Sequence, residues 1–199
     1  GTNYQFQGGD VIYEDVNHDG QINELDIVYL GNSNPKLNGG FGVDFTYGQW
    51  MLKTNFNFRV GNKILNMARM YAEDMRTNKN QCAAVNHRWR KNGNVTEIPR
   101  AMNAEAGNSF NALISDRYVE PGDYLRFQYI QLSYNVKADK LKKYGLSSLR
   151  LSASGNNLIF WSKYSGTDPE HSASGYSPCI DNSQTPRSRS FTFSLNFGF

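Results

Sequence analysis

The last ten residues, SFTFSLNFGF, alternate strictly between large apolar and small polar side chains. In an extended chain, alternate side chains point to opposite faces. The apolar face carries Phe191, Phe193, Leu195, Phe197 and Phe199, and the other face carries Thr192, Ser194, Asn196 and Gly198. Two environments suit such a strand: an antiparallel sheet with one face in water, and a transmembrane barrel with lipid outside and water inside. The patterns of the other strands are needed to distinguish these two environments.

Four further segments show the same alternation, and together with 190–199 they predict an all-β, antiparallel fold. They are residues 41–47, 50–60, 124–136 and 149–161. The apolar positions of 124–136 change parity near Tyr129 and Ile130, which predicts a β-bulge there. Five strands cannot close a transmembrane barrel, for which about eight is the smallest number. A barrel therefore requires strands from sequence outside these residues, because lipid forbids an open sheet edge.

The composition favours strands and polar loops over other classes. Twelve Phe, twelve Tyr and three Trp among 199 residues suit pleated surfaces. The mean hydropathy of −0.63 is low, and the chain contains no apolar run of about 18 residues that would predict a transmembrane helix. The net charge is only +3, with Lys and Arg scattered, so a nucleic-acid partner is not predicted.

The loops between these segments alternate in length. Tyr47 to Gln49 and residues 137–148 form short connections, whereas residues 61–122 and 162–189 are long. Short turns at one end of a sheet and long loops at the other are typical of outer-membrane barrels. One loop helix is predicted over Lys63 to Arg76, and one or two helical turns over Ala138 to Tyr144.

Aromatic residues cluster near the predicted strand ends. Their positions favour the aromatic girdles of a membrane interface, although ordinary strand aromatics are the alternative interpretation. The residues are Tyr47, Trp50, Tyr124, Phe160, Trp161 and Tyr164.

An acidic segment, DVNHDGQINELD at residues 15–26, has the spacing of an EF-hand-like calcium loop. The predicted metal ligands are Asp15, Asn17, Asp19, Gln21 (through its carbonyl), Asn23 and Asp26. Gly20 occupies the turn position of such a loop. The last ligand is Asp rather than Glu, which shortens the arm that closes the cage. The alternative is a metal-free turn held by side-chain to backbone hydrogen bonds.

No catalytic site is predicted, so the chain is not expected to be an enzyme. His18, His87 and His171 are isolated from one another and from nucleophile partners. The acidic neighbours Glu73 with Asp74, and Asp168 with Glu170, are predicted to be solvated loop charges. For Cys82 and Cys179, both a disulfide in an oxidising compartment and two free thiols fit the sequence.

The succession of segments resembles the C-terminal end of the SusC/RagA-type TonB-linked (TonB-dependent) outer-membrane transporters of Bacteroidetes. The resemblance covers most of the chain, and its pieces occur in the family's order. They are GDVIYEDVNHDGQINELD, LGNSNPKLNGGFGVDFTYGQWMLKTNFNFRVGNKILN, RW followed by IPRA, SDRYVEPGDYLRFQYIQLSYNV, LSSLRLSASGNNLIFWSKYSGTDPE and PRSRSFTFSLNFGF.

This resemblance implies a plugged barrel of about 22 strands in the cell outer membrane. It implies import of large nutrients, oligosaccharides or peptides, with a SusD-like surface lipoprotein as partner. Energy would come from TonB, ExbB and ExbD through an N-terminal part that precedes Gly1, and outer-membrane lipid would surround the barrel. Residues 1–40 would then form an extracellular loop segment and residues 41–199 the barrel strands and their loops, with the short turns in the periplasm.

Two other functions fit the sequence at this stage. One is a secreted, calcium-binding β-sandwich that recognises glycans through Trp and Tyr platforms. The other is a non-transporting subunit of an outer-membrane complex. The terminal Phe199, which ends a strand of alternating aromatics, resembles the signal by which outer-membrane barrels are recognised for assembly.

Overall fold

The computed structural model describes residues 6–102, 110–170 and 179–199, and its chain divides into two compact units. We call the first the loop unit and the second the sheet unit. The loop unit comprises Gly1–Gly31, Leu65–Glu120 and Ile180–Ser183, and the sheet unit comprises Asn32–Ile64, Pro121–Cys179 and Gln184–Phe199.

Five long strands form one antiparallel sheet in the sheet unit. In chain order they are β1 (Leu37–Tyr47), β2 (Trp50–Val60), β5 (Tyr124–Asn135), β6 (Ser148–Ser162) and β8 (Ser190–Gly198), and their spatial order is β1-β2-β5-β6-β8. Strand β2 begins and ends at the residues that the alternation indicates, whereas β1 begins at Leu37 rather than Phe41. Each strand thus lies beside its predecessor or successor among the five, as expected for a meander.

A two-residue turn joins β1 to β2. Tyr47 pairs with Trp50, and Gly48 between them has φ 59°. A positive φ at the first central position is favourable for glycine and matches the right-handed twist of the flanking strands. The register of this hairpin is therefore fixed by its turn.

The predicted irregularity in the middle strand is present as a bulge at Gln128. Asn55 and Phe56 of β2 are adjacent, but their partners in β5 are Tyr129 and Phe127, so Gln128 is an extra residue. Strand β6 has two extra residues, Asn157 and Leu158, opposite this bulge, because Tyr129 pairs with Asn156 and Phe127 pairs with Ile159. The bulge lets the apolar residues on both sides of Gln128 point to one face despite their change of parity.

A second, three-stranded sheet has the order β4-β3-β7. Its strands are β3 (Lys63–Asn66), β4 (Val119–Pro121) and β7 (Ile180–Asp181). Leu65 of β3 pairs in parallel with Ile180 of β7, a pairing that the antiparallel prediction did not include.

The helix predicted over Lys63 to Arg76 is wrong in its extent, because α1 covers only Met67–Glu73. It begins at Met67 because the Asn66 side chain accepts a hydrogen bond from the Arg69 N–H and caps the helix. It ends where Asp74 turns to an extended conformation. The residues before the helix belong to β3, where Leu65 finds a strand partner.

The other helices are short. Helix α2 (Ala138–Leu141) and the 3₁₀ turn Lys142–Tyr144 occupy the segment where helical turns were predicted, and Gly145 with φ 68° ends them. Further 3₁₀ helices are Glu24–Asp26, Ala83–His87, Phe110–Ala112 and Asp116–Tyr118. None of the helices formed by the described residues is long and apolar enough to cross a membrane.

Candidate functional sites: a two-faced sheet and an acidic loop

One face of the five-stranded sheet is polar across all its strands. Its rows include Asp44 beside Lys53 and Lys53 beside Gln131, and the Lys53 Nζ lies 3.4 Å from Asp44 Oδ2. Along β5, the Tyr129 hydroxyl donates to Gln131 Oε1 (2.6 Å), and Gln131 Nε2 donates to Ser133 Oγ (3.2 Å). Such a face is suited to water and to hydrogen-bonding solutes rather than to a second apolar layer.

The opposite face is apolar, and it is exposed. Phe41, Phe56 and Phe127 form a row of stacked rings with centroids 5.0 and 4.6 Å apart. Phe193 of β8 leaves 84% of its surface accessible. Other exposed members of this face are Val43, Phe45, Tyr47, Trp50, Leu132, Leu151, Ile159, Trp161, Phe191, Leu195 and Phe197. An apolar patch spread over five strands is far larger than water-exposed surfaces tolerate, so the face requires an apolar covering.

The aromatic residues at the strand ends do not share one location. Tyr47, Trp50 and Trp161 are exposed on the apolar face, as a girdle requires. Tyr124 pairs with Arg59 on the polar face and is buried, and Tyr164 is buried in a small cluster with Ile64 and Cys179. The prediction that all six belong to a girdle is therefore wrong, because alternation within a strand, not closeness to its end, determines the face.

A buried arginine anchors the loop after β6 to the polar face. Arg126 is 2% exposed, and its Nη2 lies 2.5 Å from Asp168 Oδ1. Its Nε lies 3.1 Å from Glu170 Oε2, and Glu170 also pairs with Arg187 at 2.8 Å. The guanidinium carbon is 5.2 Å from the centre of the Phe160 ring, within the range of a cation–π contact.

This cluster corrects the prediction that Asp168 and Glu170 are solvated charges. Asp168 is buried, and the cost of removing its charge from water is offset by the ion pair with Arg126 and by the hydrogen bond that its Oδ1 accepts from the Glu170 N–H at 2.9 Å. The sequence signal that could have found Arg126 is its place in β5, at a polar-face position near the strand end. Its acidic partners lie 42 residues away along the chain, beyond the range of any local pattern.

The loop unit contains a second charge network, centred on Glu73. This buried carboxylate accepts from Arg69 Nε at 2.8 Å and from Arg117 Nη2 at 2.6 Å. Arg69 also reaches Glu120 Oε1 at 3.3 Å. Glu73 was predicted to be solvated, and the structure contradicts this because α1 turns it toward the loop that carries Arg117.

Asp74, the neighbour of Glu73, makes a separate pair. Arg76 donates to it through Nε (2.9 Å) and Nη2 (2.8 Å), a bidentate arrangement. These hydrogen bonds hold the pKa of the Asp74 carboxyl below its ordinary value. Neither Glu73 nor Asp74 is arranged as half of an acid–base pair, since each is occupied by arginine.

Hydrogen bonds join residues 10–13 of the loop unit to residues 100–111 of the same unit. Asp10 accepts from Arg100 Nε at 2.5 Å and from Asn111 Nδ2 at 3.0 Å. The Tyr13 hydroxyl donates to the Phe110 carbonyl, and burial raises the pKa of Tyr13 to about 12. This cluster was not predicted, because its partners are about ninety residues apart in sequence.

The acidic loop brings together three of its predicted ligands. Asp15 accepts from the N–H groups of Asp19 (3.2 Å) and Gly20 (2.8 Å), and Asn17 Nδ2 donates to Asp19 Oδ2 at 2.9 Å. Hydrogen bonds from Asn17 and from the Gln21 N–H lower the pKa of Asp19. The backbone curls through positive φ at His18 (59°) and Gly20 (78°).

The other predicted ligands take part in a capping arrangement. Asn23 Oδ1 accepts from the Leu25 N–H (2.8 Å), and Asp26 accepts from the N–H groups of Val16 (2.9 Å) and Asn23 (2.8 Å). Together they form a capping box at a 3₁₀ helix. Among the residues that the structure describes, no group of three or more His, Cys, Asp or Glu side chains is placed to hold a metal ion.

The chemical types of the predicted ligands nevertheless suit calcium. Its side-chain oxygens are carboxylates and amides, the hard ligands that calcium prefers, and the lowered pKa keeps Asp19 ionised. Asp26 is held next to the start of the loop, because its Oδ1 accepts from the N–H of Val16, the residue after Asp15.

The two cysteines are not joined by a disulfide. Cys82 and Cys179 are free thiols, and Cys179 is buried where its Sγ lies 3.2 Å from the Ser33 carbonyl oxygen. His171 lies outside the described residues.

Comparison with known proteins identifies the chain's relatives. No family model matches it. It is 30% identical over 202 residues to TonB-dependent receptor P26 of Formosa agariphila, covering 96% of this chain and 20% of the relative. It is 29% identical over 198 residues to TonB-dependent receptor P3 of the same organism, covering 96% of this chain and 19% of the relative. The chain is homologous to TonB-dependent receptors. It spans about a fifth of the length of these relatives.

Solved structures of the RagAB complex share the fold of this chain. The RagAB peptide transporter matches with a TM-score of 0.71 and 20% identity, over 84% of this chain and 17% of that chain. The RagAB peptide importer in the "open-open" state matches with a TM-score of 0.70 over 83% of this chain. The resemblance to TonB-dependent transporters that the sequence predicts is therefore confirmed as homology.

Proposed function

We propose that this chain forms the C-terminal strands of a transmembrane barrel of about 22 strands. The observation that carries the proposal is the sheet with two opposite faces, one apolar and exposed, the other lined by hydrogen-bonding side chains. In a membrane barrel the first face meets lipid and the second meets the aqueous lumen. A secreted β-sandwich would need a second sheet over the apolar face, and no such layer covers it in the described ranges.

The homology to TonB-dependent receptors supports a transport function for the whole protein. The whole protein would import large nutrients, either oligosaccharides or peptides, using energy supplied through TonB, ExbB and ExbD. The related RagAB structures are named as a peptide importer, which favours peptides as the first class to test. A SusD-like surface lipoprotein would cover the extracellular opening. The turn at Gly48 and the α2 segment would then face the periplasm.

We also propose that the acidic loop binds one calcium ion in the extracellular medium. Asp15, Asp19 and Asp26 would supply carboxylate oxygens, Asn17 and Asn23 amide oxygens, and Gln21 its carbonyl. The ion would replace the hydrogen bonds that now hold the loop together. The metal would order the segment and would take no part in chemistry.

The experiment that tests the transporter proposal uses the full-length protein in its own cells. Membranes are separated on a density gradient, and uptake of fluorescent oligopeptides and oligosaccharides is measured with and without the gene. We expect the protein in the outer-membrane fraction and uptake of one class to be lost on deletion of the gene or of TonB. Outer-membrane location with unchanged uptake of both classes would support the non-transporting complex subunit instead.

A further inference from the structure

The apolar face of the sheet contains a groove. It has a volume of about 580 Å³, within the size range of small-molecule sites. The residues that line it are Trp50, Leu132, Tyr134, Leu151, Ser152, Ala153, Phe193, Ser194 and Leu195. The sheet unit alone contributes all of them.

The groove exists because β6 carries small residues between two strands with large ones. Ala153 pairs with Leu132 of β5 on one side and with Phe193 of β8 on the other. A methyl group thus lies between an aliphatic and an aromatic side chain, which leaves a depression beside Ala153.

One end of the groove lies at the level of an interfacial belt. Trp50 and Tyr134 stand side by side there, with ring centroids 4.7 Å apart, next to the turn at Gly48. Trp and Tyr prefer the depth at which lipid headgroups begin. The floor of the groove, at Ala153 and Leu195, lies deeper in the apolar band.

Positively charged residues follow Tyr134 in the sequence, after this end of the groove. Lys137 lies three residues beyond Tyr134 and is exposed, as are Lys142 and Lys143 of the 3₁₀ turn after α2. The one carboxylate in this segment, Asp139, is exposed and forms a long ion pair with Lys142 at 3.9 Å, and the segment stays net positive because it carries Lys137, Lys140, Lys142 and Lys143. Basic side chains at a membrane surface attract anionic headgroups.

We propose that this groove binds one anionic phospholipid, with an acyl chain along Ala153 and the headgroup at Lys137, Lys142 and Lys143. The inference rests on the proposed membrane barrel, because only an apolar face turned to lipid offers the groove to an acyl chain. The apolar lining recognises the chain, and the lysines supply the charge complementarity that selects the headgroup. The ligand is a structural lipid and not a transported solute.

The test uses the full-length protein, delipidated in detergent, with phosphatidylglycerol and phosphatidylethanolamine as probes and native mass spectrometry as the readout. We expect the wild-type protein to hold one phosphatidylglycerol more tightly than any phosphatidylethanolamine. Ala153→Phe, which fills the groove, should lower the retained lipid at least tenfold, and Ala153→Ile serves as a smaller filling variant. Val43→Phe, on the same face in β1 and outside the groove, should leave retention unchanged.

The headgroup is tested separately by charge reversal. Lys137→Glu with Lys143→Glu should weaken phosphatidylglycerol binding about tenfold, whereas Lys79→Glu with Lys91→Glu in the loop unit makes the same change of net charge without effect. Equal binding of both lipids overturns the anionic site, as does equal loss in Ala153→Phe and Val43→Phe. If the protein inserts into the outer membrane but retains no lipid, the groove inference fails and the barrel stands. If it does not insert, both fail.

Discussion

The buried charge of Arg126 is stabilised by the close placement of two carboxylate side chains. Arg126 loses almost all of its hydration, and it gains a hydrogen bond to Asp168 at 2.5 Å and an ion-pair contact with Glu170 at 3.1 Å. The desolvation of an ion costs several kcal/mol, and partners at such distances offset much of that cost. The main effect of these ion pairs is to hold the loop after β6 in place on the polar face.

Replacing Arg126 should therefore release that loop. Arg126→Gln leaves two carboxylates without their buried cation, and we expect a loss of about 3 kcal/mol in local stability. Hydrogen exchange of the amides of residues 163–170 in the full-length protein measures it. Arg189→Gln, at an exposed arginine, is the matched control. Equal protection in the two variants would show that the ion pairs do not hold the loop.

Tyr13 gives a prediction for alkaline pH. Its pKa is raised from 10.0 to about 12, chiefly by burial, so the folded loop unit favours the neutral phenol. The stability contributed by Tyr13 is fully present below pH 10 and is lost as the pH rises through about 12. The difference in tyrosinate absorbance between wild type and Tyr13→Phe should have its midpoint near pH 12. A midpoint near pH 10 would mean that the phenol is solvated.

The calcium proposal is tested at the same scale. Combined Asp15→Ala and Asp19→Ala removes two carboxylates, and we expect at least a tenfold loss of calcium affinity in isothermal titration of the purified full-length protein. Glu24→Gln removes an acidic charge beside the loop that is not among the proposed ligands, and it should leave the affinity within about twofold. If the double variant retains its metal content, the loop is a hydrogen-bonded turn.

At the level of secondary structure, the bulge at Gln128 keeps each face of β5 uniform. Leu125 and Phe127 precede it and Ile130, Leu132 and Tyr134 follow, with the two sets offset by one residue. If Gln128 were paired as a regular strand residue instead of being bulged, one of these sets would lie on the polar face. The bulge is thus a requirement of the sequence on either side of it.

Two deletions separate this role from a general need for strand length. Deleting Gln128 restores plain alternation, so we expect the full-length protein to assemble, with some loss of stability where β5 meets β6. Deleting Gln131 moves Leu132 and Tyr134 to the polar face, and we expect assembly to fail. Resistance of the folded barrel to SDS on unheated gels distinguishes them. Equal behaviour of the two variants would contradict the role of the bulge.

The strands could be predicted from sequence because each strand face meets one kind of environment. Period-two alternation records that environment residue by residue, and β2 accordingly begins at Trp50 and ends at Val60. The small sheet could not be predicted in this way. Leu65 finds its partner Ile180 far along the chain, and the spacing of Ile64, Leu65 and Met67 imitates a helix.

The sites were predictable only where their residues are local. The acidic loop could be recognised because its side chains lie within twelve positions, from Asp15 to Asp26. The pairs Arg126 with Asp168 and Arg100 with Asp10 bring together residues 42 and 90 positions apart. No local pattern encodes such contacts, which depend on how the loops are folded back.

For the whole molecule, a mean hydropathy of −0.63 coexists with a large apolar surface. The average is low because most apolar residues of the sheet have a polar neighbour in sequence, and the loops add polar residues. Hydropathy averaged along the chain therefore does not describe a sheet whose two faces differ. The separation appears only when the strands are paired in register.

The two faces should respond in opposite ways to the same substitution. Leu195→Arg places a charge on the apolar face, where lipid would make it cost about 2 kcal/mol or more. Ser194→Arg, one residue earlier in β8, points to the polar face and should be tolerated. The urea midpoint of the full-length protein in lipid vesicles provides the comparison. If both variants lose the same stability, the apolar face is not in contact with lipid.

Strands β2, β5 and β6 use different numbers of residues to cross the same stretch of the sheet, and this difference limits how their lengths can change in evolution. At one level, β2 uses the adjacent residues Asn55 and Phe56, β5 extends from Phe127 to Tyr129, and β6 extends from Asn156 to Ile159. Loss of both Asn157 and Leu158 would leave the faces of β6 unchanged, whereas loss of either one alone would invert them. Related genes should therefore vary by codon pairs in β6 at this level, while β5 tolerates a single-codon change at Gln128.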